Sequence, residues 1–343
     1  MRFPLLVLLP CALLATPAWA DEPLSGNVLV WHDATFYTDA NDGATTVHVA
    51  KLDAPRKDRV GHVVAMHVLS TKGDFVEVEP IEGRDCTWSQ LVTNDDLAKL
   101  RLFVRRGDLA RVLTKPYNKT FADGSKLTLR PGTPVLPTDQ SRYAVSLRGE
   151  IVYTEISASA TGFSYTPDRS RVTAVTMQEF TLAPKTTVKL GDQTLTPAHW
   201  RAVALEKHGA QTVFTVEDRC TSLQVTVPTT AVKEADEDDT SISFGSTSGG
   251  HGLLELRDEA FIPPKTPLSV KGHTVAFAAK PIYLPARTST KNVCIERRLR
   301  LEADILPPSD DDVDASLRLC APATLVAHER MRSARSAHGS TSR

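Results

Sequence analysis

Three stretches of the chain repeat one spacing of apolar residues, and this repeat restricts the fold more than any other feature. LRLFVRRGDL at 100–109, LQVTVPTTAV at 223–232 and LRLCAPATLV at 317–326 each place an apolar residue at the first, third, fifth and tenth positions. Alternation with a period of two is typical of a half-buried β-strand, and the tenth position marks a residue that follows a turn. The repeat predicts several copies of a small β unit rather than a fold of long helices.

A second recurrence precedes apolar, strand-like segments. RPGTPVL at 130–136, APKTTVKL at 183–190 and PPKTPLSV at 263–270 share a proline, then Gly or Lys, then Thr, and RVGHVVAM at 59–66 is a degenerate fourth form. Proline fixes φ and has no N–H to donate, so it suits the entrance of a strand, before the hydrogen-bonded ladder begins. Each copy therefore predicts the start of a strand within a repeated unit.

Signals for helix are scarce. The chain contains 22 prolines, which favour short strands and many turns. Asn94 is a candidate N-cap, and Asp95 and Asp96 suit the first turn of a helix. The next strand pattern follows so closely that this segment predicts a helix of only about one turn.

The amino terminus predicts export. Residues 1–20 combine a basic residue, an apolar run at 3–14 and small residues at Ala18 and Ala20, which is the pattern of a cleaved signal peptide. The apolar run is shorter than the roughly 20 residues of a transmembrane helix. We therefore expect a periplasmic or extracellular protein with no transmembrane segment. The competing interpretation is an outer-membrane lipoprotein, because LLPC at 8–11 ends in a cysteine.

The charge balance gives no reason to expect a nucleic-acid partner. The chain has 40 basic and 41 acidic residues and a formal net charge of −1. Binding to a phosphate backbone or to an anionic membrane surface usually needs an excess of basic residues.

The four cysteines outside the leader predict two disulfides. They are Cys86, Cys220, Cys294 and Cys320. An even number of cysteines in an exported chain favours disulfide bonds, although four cysteines allow three connectivities. Cys294 and Cys320 are the nearest pair in sequence and are our first choice. No C-x-x-C motif or histidine pair stands at ligand spacing near them, so we expect neither a zinc site nor another cofactor.

The order of strand and turn signals in residues 29–113 resembles bacterial Src-homology-3-like (SH3b) barrels. WHDATFYT is followed by a loop, RVGHVVAM, a turn, GDFVEVE and finally LRLFVRRGDL. The residues that carry the likeness are Gly61, Gly73, Asp74, Phe75, Val76, Val78, Phe103, Val104 and Leu109. The family often has a Gly-Trp-Val closing strand, where this chain has Leu102, Phe103 and Val104.

The resemblance implies modules of about five strands that bind rather than catalyse, commonly holding cell-wall peptides or protein partners of the bacterial envelope. In such barrels aromatic side chains from the first loop and from beside the turns line the ligand groove. By position, Phe36, Tyr37 and Trp88 are the residues to which this role carries over.

We therefore predict an all-β fold of tandem small SH3-like barrels, or barrel-like β units, with little helix. The predicted parts are a signal peptide at 1–20, β units at 29–114, 117–175, 178–233 and 252–327, an acidic and glycine-rich linker at 234–251, and a disordered basic tail at 328–343. The second and third units are short enough to merge into one larger domain. The second lacks a clear terminal copy of the first repeat, for which GFSYTP at 162–167 is a weak substitute.

Two further groups of residues are poor candidates for a catalytic or metal site. His62 and His67 are five positions apart in one strand pattern, so they face opposite sides and do not share a metal. Ser248 and His251 lie in GSTSGGHG at 245–252, which lacks the G-x-S-x-G frame of a hydrolase nucleophile. We assign no catalytic residue.

These features together predict an exported, non-enzymatic binding or adaptor protein of the bacterial cell envelope that recognises a wall peptide or a protein partner. Two alternatives stay open. One is a structural or assembly protein that pairs with partners through its strand edges, and the other is a hydrolase of unrecognised type.

Overall fold

The computed structural model describes residues 23–48, 62–81, 86–87, 89–138, 141–166, 180–197, 200–202, 204–234, 259–284, 293–303 and 314–329. In these residues the regular elements are β-strands and short 3-10 turns, without an α-helix. The predicted all-β fold with little helix is therefore confirmed. None of the described residues belongs to a helix long and apolar enough to cross a membrane. The predicted leader and most of the predicted linker and tail lie outside the described residues.

The strands fall into four groups, which we number in chain order. The first group contains β1 (Asn27–Trp31), β2 (Thr35–Tyr37), β3 (Thr46–His48), β4 (Val63–Lys72), β5 (Phe75–Pro80), β6 (Ser89–Thr93), β7 (Leu97–Ala98), β8 (Leu102–Arg105) and β9 (Leu109–Ala110). The second contains β10 (Val112–Leu113), β11 (Tyr117–Thr120), β12 (Lys126–Leu129), β13 (Leu136–Pro137), β14 (Tyr143–Leu147), β15 (Glu150–Thr154), β16 (Thr161–Gly162) and β17 (Ser164–Tyr165).

The third group contains β18 (Phe180–Leu182), β19 (Val188–Leu190), β20 (Gln193–Leu195), β21 (Ala204–His208), β22 (Gln211–Asp218), β23 (Thr221–Pro228) and β24 (Val232–Glu234). The fourth contains β25 (Glu259–Ile262), β26 (Pro267–Val270), β27 (His273–Ala278), β28 (Ile282–Tyr283), β29 (Val293–Ala303), β30 (Asp314–Ala321) and β31 (Ala327–Glu329).

Near its end each group has a strand, a 3-10 turn and a further short strand, and in the second group one more short strand, β17, follows. The turns are Arg106–Asp108, Ala158–Ala160, Thr229–Ala231 and Ala323–Leu325. In each case the N–H of the residue after the turn donates to the carbonyl of the first turn residue. The residue before the turn is extended, with φ between −57° and −75°. Proline suits this φ and occupies the position as Pro228 and Pro322 in the third and fourth groups.

The strand and turn predicted from the first sequence repeat are confirmed in all three copies. The residues at the first, third and fifth positions of each copy are buried. The second group has a copy of its own at 152–161, with Val152, Thr154 and Ile156 buried and Thr161 after the turn. Because this copy has polar threonines at its third and tenth positions, a search for apolar residues does not detect it. The Thr154 hydroxyl is hydrogen-bonded to the Tyr117 hydroxyl at 2.8 Å. The segment GFSYTP at 162–167, which was proposed as the terminal copy of the second group, follows this copy in the chain.

The second sequence repeat forms a tight turn. The N–H groups of Thr133, Thr186 and Thr266 donate to the carbonyl three residues earlier, at 3.1, 3.0 and 3.3 Å. The residue before each threonine has φ of 92°, 63° and 65°, as the third position of a type II turn requires. In the third and fourth groups the turn follows the first strand, but in the second group it follows β12. The turn thus recurs without a fixed place in the unit.

The short helix predicted at Asn94 is wrong. The segment forms a turn and the two-residue strand β7, and its carboxylates contact the fourth group instead of a helix terminus. Asp96 accepts hydrogen bonds from the Arg297 guanidinium at 2.6 to 3.1 Å, and Asp95 contacts Lys280 at 2.6 Å. Tertiary ion pairs therefore replace the capping role that the local sequence favours.

The first and fourth groups share one sheet and one core. Along the sheet the order is β3-β2-β8-β5-β4-β6-β29-β30-β26-β27-β7, and β1 pairs with β4, β9 and β17. Within the first group the pairing of β1, β4, β5, β8 and β2, with β9 back on β1, makes a nearly closed, barrel-like sheet. The common core draws on both groups, including Val30, Met66, Leu102, Ile262 and Leu299.

The second and third groups are joined by a hairpin of the second and by side-chain contacts of the third. Strand β12 pairs with β23, which gives the five-stranded sheet β11-β12-β23-β22-β21. In the other direction, the Gln193 amide on β20 exchanges two hydrogen bonds of 2.7 Å with the Tyr153 backbone on β15. A second core, which includes Leu127, Trp200 and Phe214, fills the space between the two groups.

Both predicted disulfides are present, including our first choice of pairing. Cys294 and Cys320 are directly opposite each other on β29 and β30. Cys86 and Cys220, 134 residues apart, join the first group to the third. Chain-entropy arguments give a link across so long a loop a stabilisation of about 5 kcal/mol.

Candidate functional site

The two adjacent aromatic residues predicted to line a groove point in opposite directions. Phe36 is 2% exposed and belongs to the core shared by the first and fourth groups. Tyr37 is the next residue on β2 and, because side chains alternate along a strand, its half-buried ring lies on the outer face of the sheet. Trp88 lies outside the described residues.

Tyr37 belongs to an outer surface formed by four strands, which we call the Tyr37 face. Its members are Tyr37, Lys72, Phe75, Phe103 and Arg105. Cross-strand pairing places Tyr37 opposite Phe103, and Phe75 opposite both Arg105 and Lys72. The alternate residues of β5 and β8, such as Val76 and Val104, belong to the core, so the named side chains lie on the opposite face of the sheet. Phe75 and Phe103 are nevertheless only 7% exposed on that face.

Rings and cations are interleaved on the Tyr37 face. Tyr37 and Phe75 meet edge to face, with centroids 5.3 Å apart and an interplanar angle of 85°. The Arg105 guanidinium carbon lies 5.1 Å from the Phe75 centroid and 5.9 Å from that of Tyr37. The Lys72 ammonium lies 5.1 Å from the Phe103 centroid. Such contacts are in the range of cation–π attraction and bury the rings beneath charged groups.

Arg105 joins the face to the loop between β2 and β3. Its Nε donates to the Tyr37 hydroxyl at 3.4 Å, and its terminal nitrogens contact Asp74 at 3.3 Å and Asp42 in that loop. The hydrogen bond to Tyr37 and the neighbouring Asp42 carboxylate raise the pKa of Arg105 above its usual range. Arg105 is therefore a fixed positive charge that holds the aromatic rings and the loop in one arrangement.

A cleft of about 230 Å³ lies between the second and third groups. Its walls are formed by β11 and the turn after it, by the end of β15 and by the turn between β19 and β20, so both groups contribute to it. Arg142 contacts Asp192 at 2.7 Å, and Lys119 contacts Glu155 at 3.5 Å. The Arg142 hydrogen bond lowers the pKa of Asp192, and Lys119 adds to this effect.

A pair of histidines, of which His32 is buried, lies where β1 ends and β4 begins. The N–H of His32 donates to the His62 carbonyl at 3.2 Å, and the two ring centroids are 5.6 Å apart. Burial and the neighbouring His62 lower the pKa of His32 to about 3. Its Nε2 atom has no hydrogen-bond partner among the described residues. His67, in contrast, contacts the Asn27 side chain at 3.2 Å.

Other candidates from the sequence lie elsewhere. Ser248 and His251 are outside the described residues. Among the described residues, no group of three or more His, Cys, Asp or Glu side chains is placed to hold a metal ion.

Comparison of the chain with protein-family models, with curated proteins and with solved structures gave no match. The candidate sites therefore rest on the geometry of this molecule. Sequence reasoning named Tyr37 through the barrel likeness but did not name Arg105, Phe75 and Lys72 as part of the same surface. An alternating strand pattern does indicate which residues face outward, but not which strand lies beside which. The cleft gives no local signal, because its walls come from segments of two groups.

Proposed function

We propose that this chain is an exported binding or adaptor protein of the bacterial cell envelope, and that the Tyr37 face of its first group holds a wall peptide or a protein partner. The observation that carries the proposal is the cluster of Arg105, Lys72 and the half-buried Tyr37 ring on one outer surface, with the buried rings of Phe75 and Phe103 packed beneath the cations. Tyr, Trp and Arg are the residues most enriched among those that dominate binding energies.

The arrangement of the face supports binding in two ways. Arg105 is held by Tyr37, Asp42 and Asp74, so little side-chain freedom is left to lose when a partner docks. The exposed part of the Tyr37 ring supplies apolar contact area, while the cations supply hydrogen-bond donors for peptide carbonyl or carboxylate groups.

Export is supported by the disulfides. Cys86–Cys220 and Cys294–Cys320 account for every cysteine outside the predicted leader. Disulfides persist in oxidising compartments such as the bacterial periplasm and are rare in the cytosol. Together with the leader pattern at 1–20, they favour a periplasmic or extracellular site of action.

Retention of the full chain on purified peptidoglycan and on immobilised envelope extract tests this function. We expect wild-type protein to be retained on one of the two, and Tyr37→Ala to weaken retention about ten-fold or more. Lys72→Ala should weaken it less, and Lys207→Ala, which removes a comparable exposed lysine from β21, serves as the matched control. No retention of wild type on either material, or equal retention of wild type and Tyr37→Ala, would overturn the proposal.

The strand-edge alternative has one feature in its favour, since β21 ends the five-stranded sheet in the described part of the chain. Glu206, Lys207 and His208 are exposed on that strand, and charged side chains are a common protection against edge pairing. A monomer in sizing experiments at high protein concentration would remove this alternative.

A further inference from the structure

The two disulfides differ in how open they are to solvent. Cys294 and Cys320 are directly opposite each other on β29 and β30, and both are partly exposed. Their neighbours along the strands, such as Val293, are buried in the core, so this disulfide lies on the outer face of the sheet. Cys86, in contrast, is 8% exposed, and its sulfur lies against the turn at Gly132. A thiol from solvent therefore reaches the Cys294–Cys320 bond more easily than the other disulfide.

Strands β29 and β30 are also held together without the Cys294–Cys320 bond. They are joined over eight residue pairs, and β29 pairs with β6 as well. This disulfide spans 26 residues, whereas Cys86–Cys220 spans 134 and joins two groups. The stabilisation that a disulfide gives the fold equals the resistance of the fold to its reduction, and it grows with loop length. The shorter loop therefore favours reduction of Cys294–Cys320 by about ten-fold in the equilibrium constant.

The two sulfur atoms of this bond have different surroundings along the sheet. On the side away from β29, β30 is paired with β26 through Cys320 and Ser269. On the side away from β30, β29 is paired with β6 only at 299–303, and no described strand pairs with it at Cys294. A thiolate attacks a disulfide in line with the S–S bond, so the open side of β29 leads it to the Cys294 sulfur.

The next pair of residues on the same face carries opposite charges. Glu296 lies two positions from Cys294 on β29. Arg318 lies two positions from Cys320 on β30, directly opposite Glu296. Residues two apart on a strand are roughly 7 Å apart on one face. An arginine beside a cysteine stabilises its thiolate, and a carboxylate disfavours one. Charge and access therefore both select Cys320 as the sulfur that leaves.

We propose that Cys294–Cys320 is a thiol–disulfide exchange site for a partner protein that carries a dithiol. One partner thiolate attacks the Cys294 sulfur, the Cys294–Cys320 bond breaks, and its electron pair leaves on Cys320, which takes up a proton. The second partner thiol loses its proton and attacks the partner's sulfur in the mixed disulfide, and Cys294 leaves and is protonated. The partner ends as a disulfide, and this chain gains two electrons and two protons. The exchange does not depend on the function proposed for the Tyr37 face.

Equilibration of the full chain in buffers of reduced and oxidised dithiothreitol, followed by alkylation and peptide mass spectrometry, tests the site. We expect Cys294 and Cys320 to be alkylated at a ratio of reductant to oxidant about ten-fold lower than Cys86 and Cys220. The far-ultraviolet circular dichroism and the elution volume should not change while this disulfide opens. Reduction of both disulfides at one ratio, or of Cys294–Cys320 only with loss of the strand signal, would show a purely structural link and overturn the proposal.

Brief exposure to 2-mercaptoethanol, a neutral monothiol, identifies the sulfur that is attacked. After acid quenching and mapping, we expect the mixed disulfide on Cys294 to exceed that on Cys320 by about five-fold. Arg318→Gln should lower this ratio about two-fold, because the Cys320 thiolate loses a neighbouring cation. Arg298→Gln is the matched control, since Arg298 is opposite Ser316, one pair farther from the disulfide, and should keep the wild-type ratio. Equal labelling of both cysteines in wild type, or equal effects of the two arginine variants, would contradict the proposed attack on Cys294.

Discussion

At the scale of single residues, alternation along strands was readable from the sequence, but the surroundings of each side chain were not. Tyr37 and Phe36 were both predicted to line a groove, and period-two geometry sends one of them into the core. Thr154 is buried although it is polar, because the Tyr117 hydroxyl satisfies it from another strand. A partner that distant in sequence leaves no trace in the local pattern.

His32 gives the molecule a pH dependence that follows from burial. Its pKa is lowered to about 3 in the folded state, against about 6.5 in an unfolded chain. Between these values the unfolded chain binds the extra proton, so stability falls as pH drops below about 6.5. We expect the free energy of unfolding to decrease by about 2 kcal/mol between pH 7 and pH 5 from this residue alone.

Denaturant unfolding of wild type, His32→Leu and His208→Gln at pH 7 and pH 5 checks this. His32→Leu should lose most of the pH dependence, while the control at His208, an exposed residue, should retain it. Equal pH dependence in wild type and His32→Leu would show that the His32 ring does not carry it.

At the scale of elements, the strands and turns were more predictable than their arrangement. The pattern of proline, Gly or Lys, and threonine forms the same turn three times. The Gly or Lys occupies the third position of the turn, which needs positive φ, and the proline before it has a fixed φ that suits the second position. Its place within the unit differs, since the turn at 130–133 follows a hairpin that pairs with the third group. The predicted helix at Asn94 is absent, and Asp96 in this segment accepts a hydrogen bond from Arg297 of the fourth group instead.

The turn at Gly132 should be the least tolerant of a side chain. An added Cβ would lie 2.5 Å from the Tyr165 ring and 2.8 Å from the Cys86 sulfur, whereas at Gly124, which has a similar positive φ, nothing lies within 4 Å. Both alanine variants carry backbone strain, but only Gly132→Ala adds overpacking. We expect Gly132→Ala to lower the free energy of unfolding by about 2 kcal/mol more than Gly124→Ala. Guanidinium unfolding of both variants measures the difference, and equal losses would contradict the packing around this turn.

At the scale of the whole molecule, the sequence predicted a row of separate units, while the described strands show sharing between units. The first and fourth groups complete one sheet across about 200 intervening positions along the chain, and a hairpin of the second group extends the sheet of the third. Repeat patterns show that units are alike but not which of them are neighbours in space. Long-range pairing of this kind is set by the complementarity of edges and cores, which no local pattern encodes.

The shared core of the first and fourth groups is tested most directly by cutting the chain between them. A protease site placed in residues 245–252 separates the first three groups from the fourth, and neither disulfide spans the cut. We predict that the two fragments stay together in size-exclusion chromatography without reducing agent and separate only in denaturant. Fragments that elute separately in native buffer would contradict the common sheet and core.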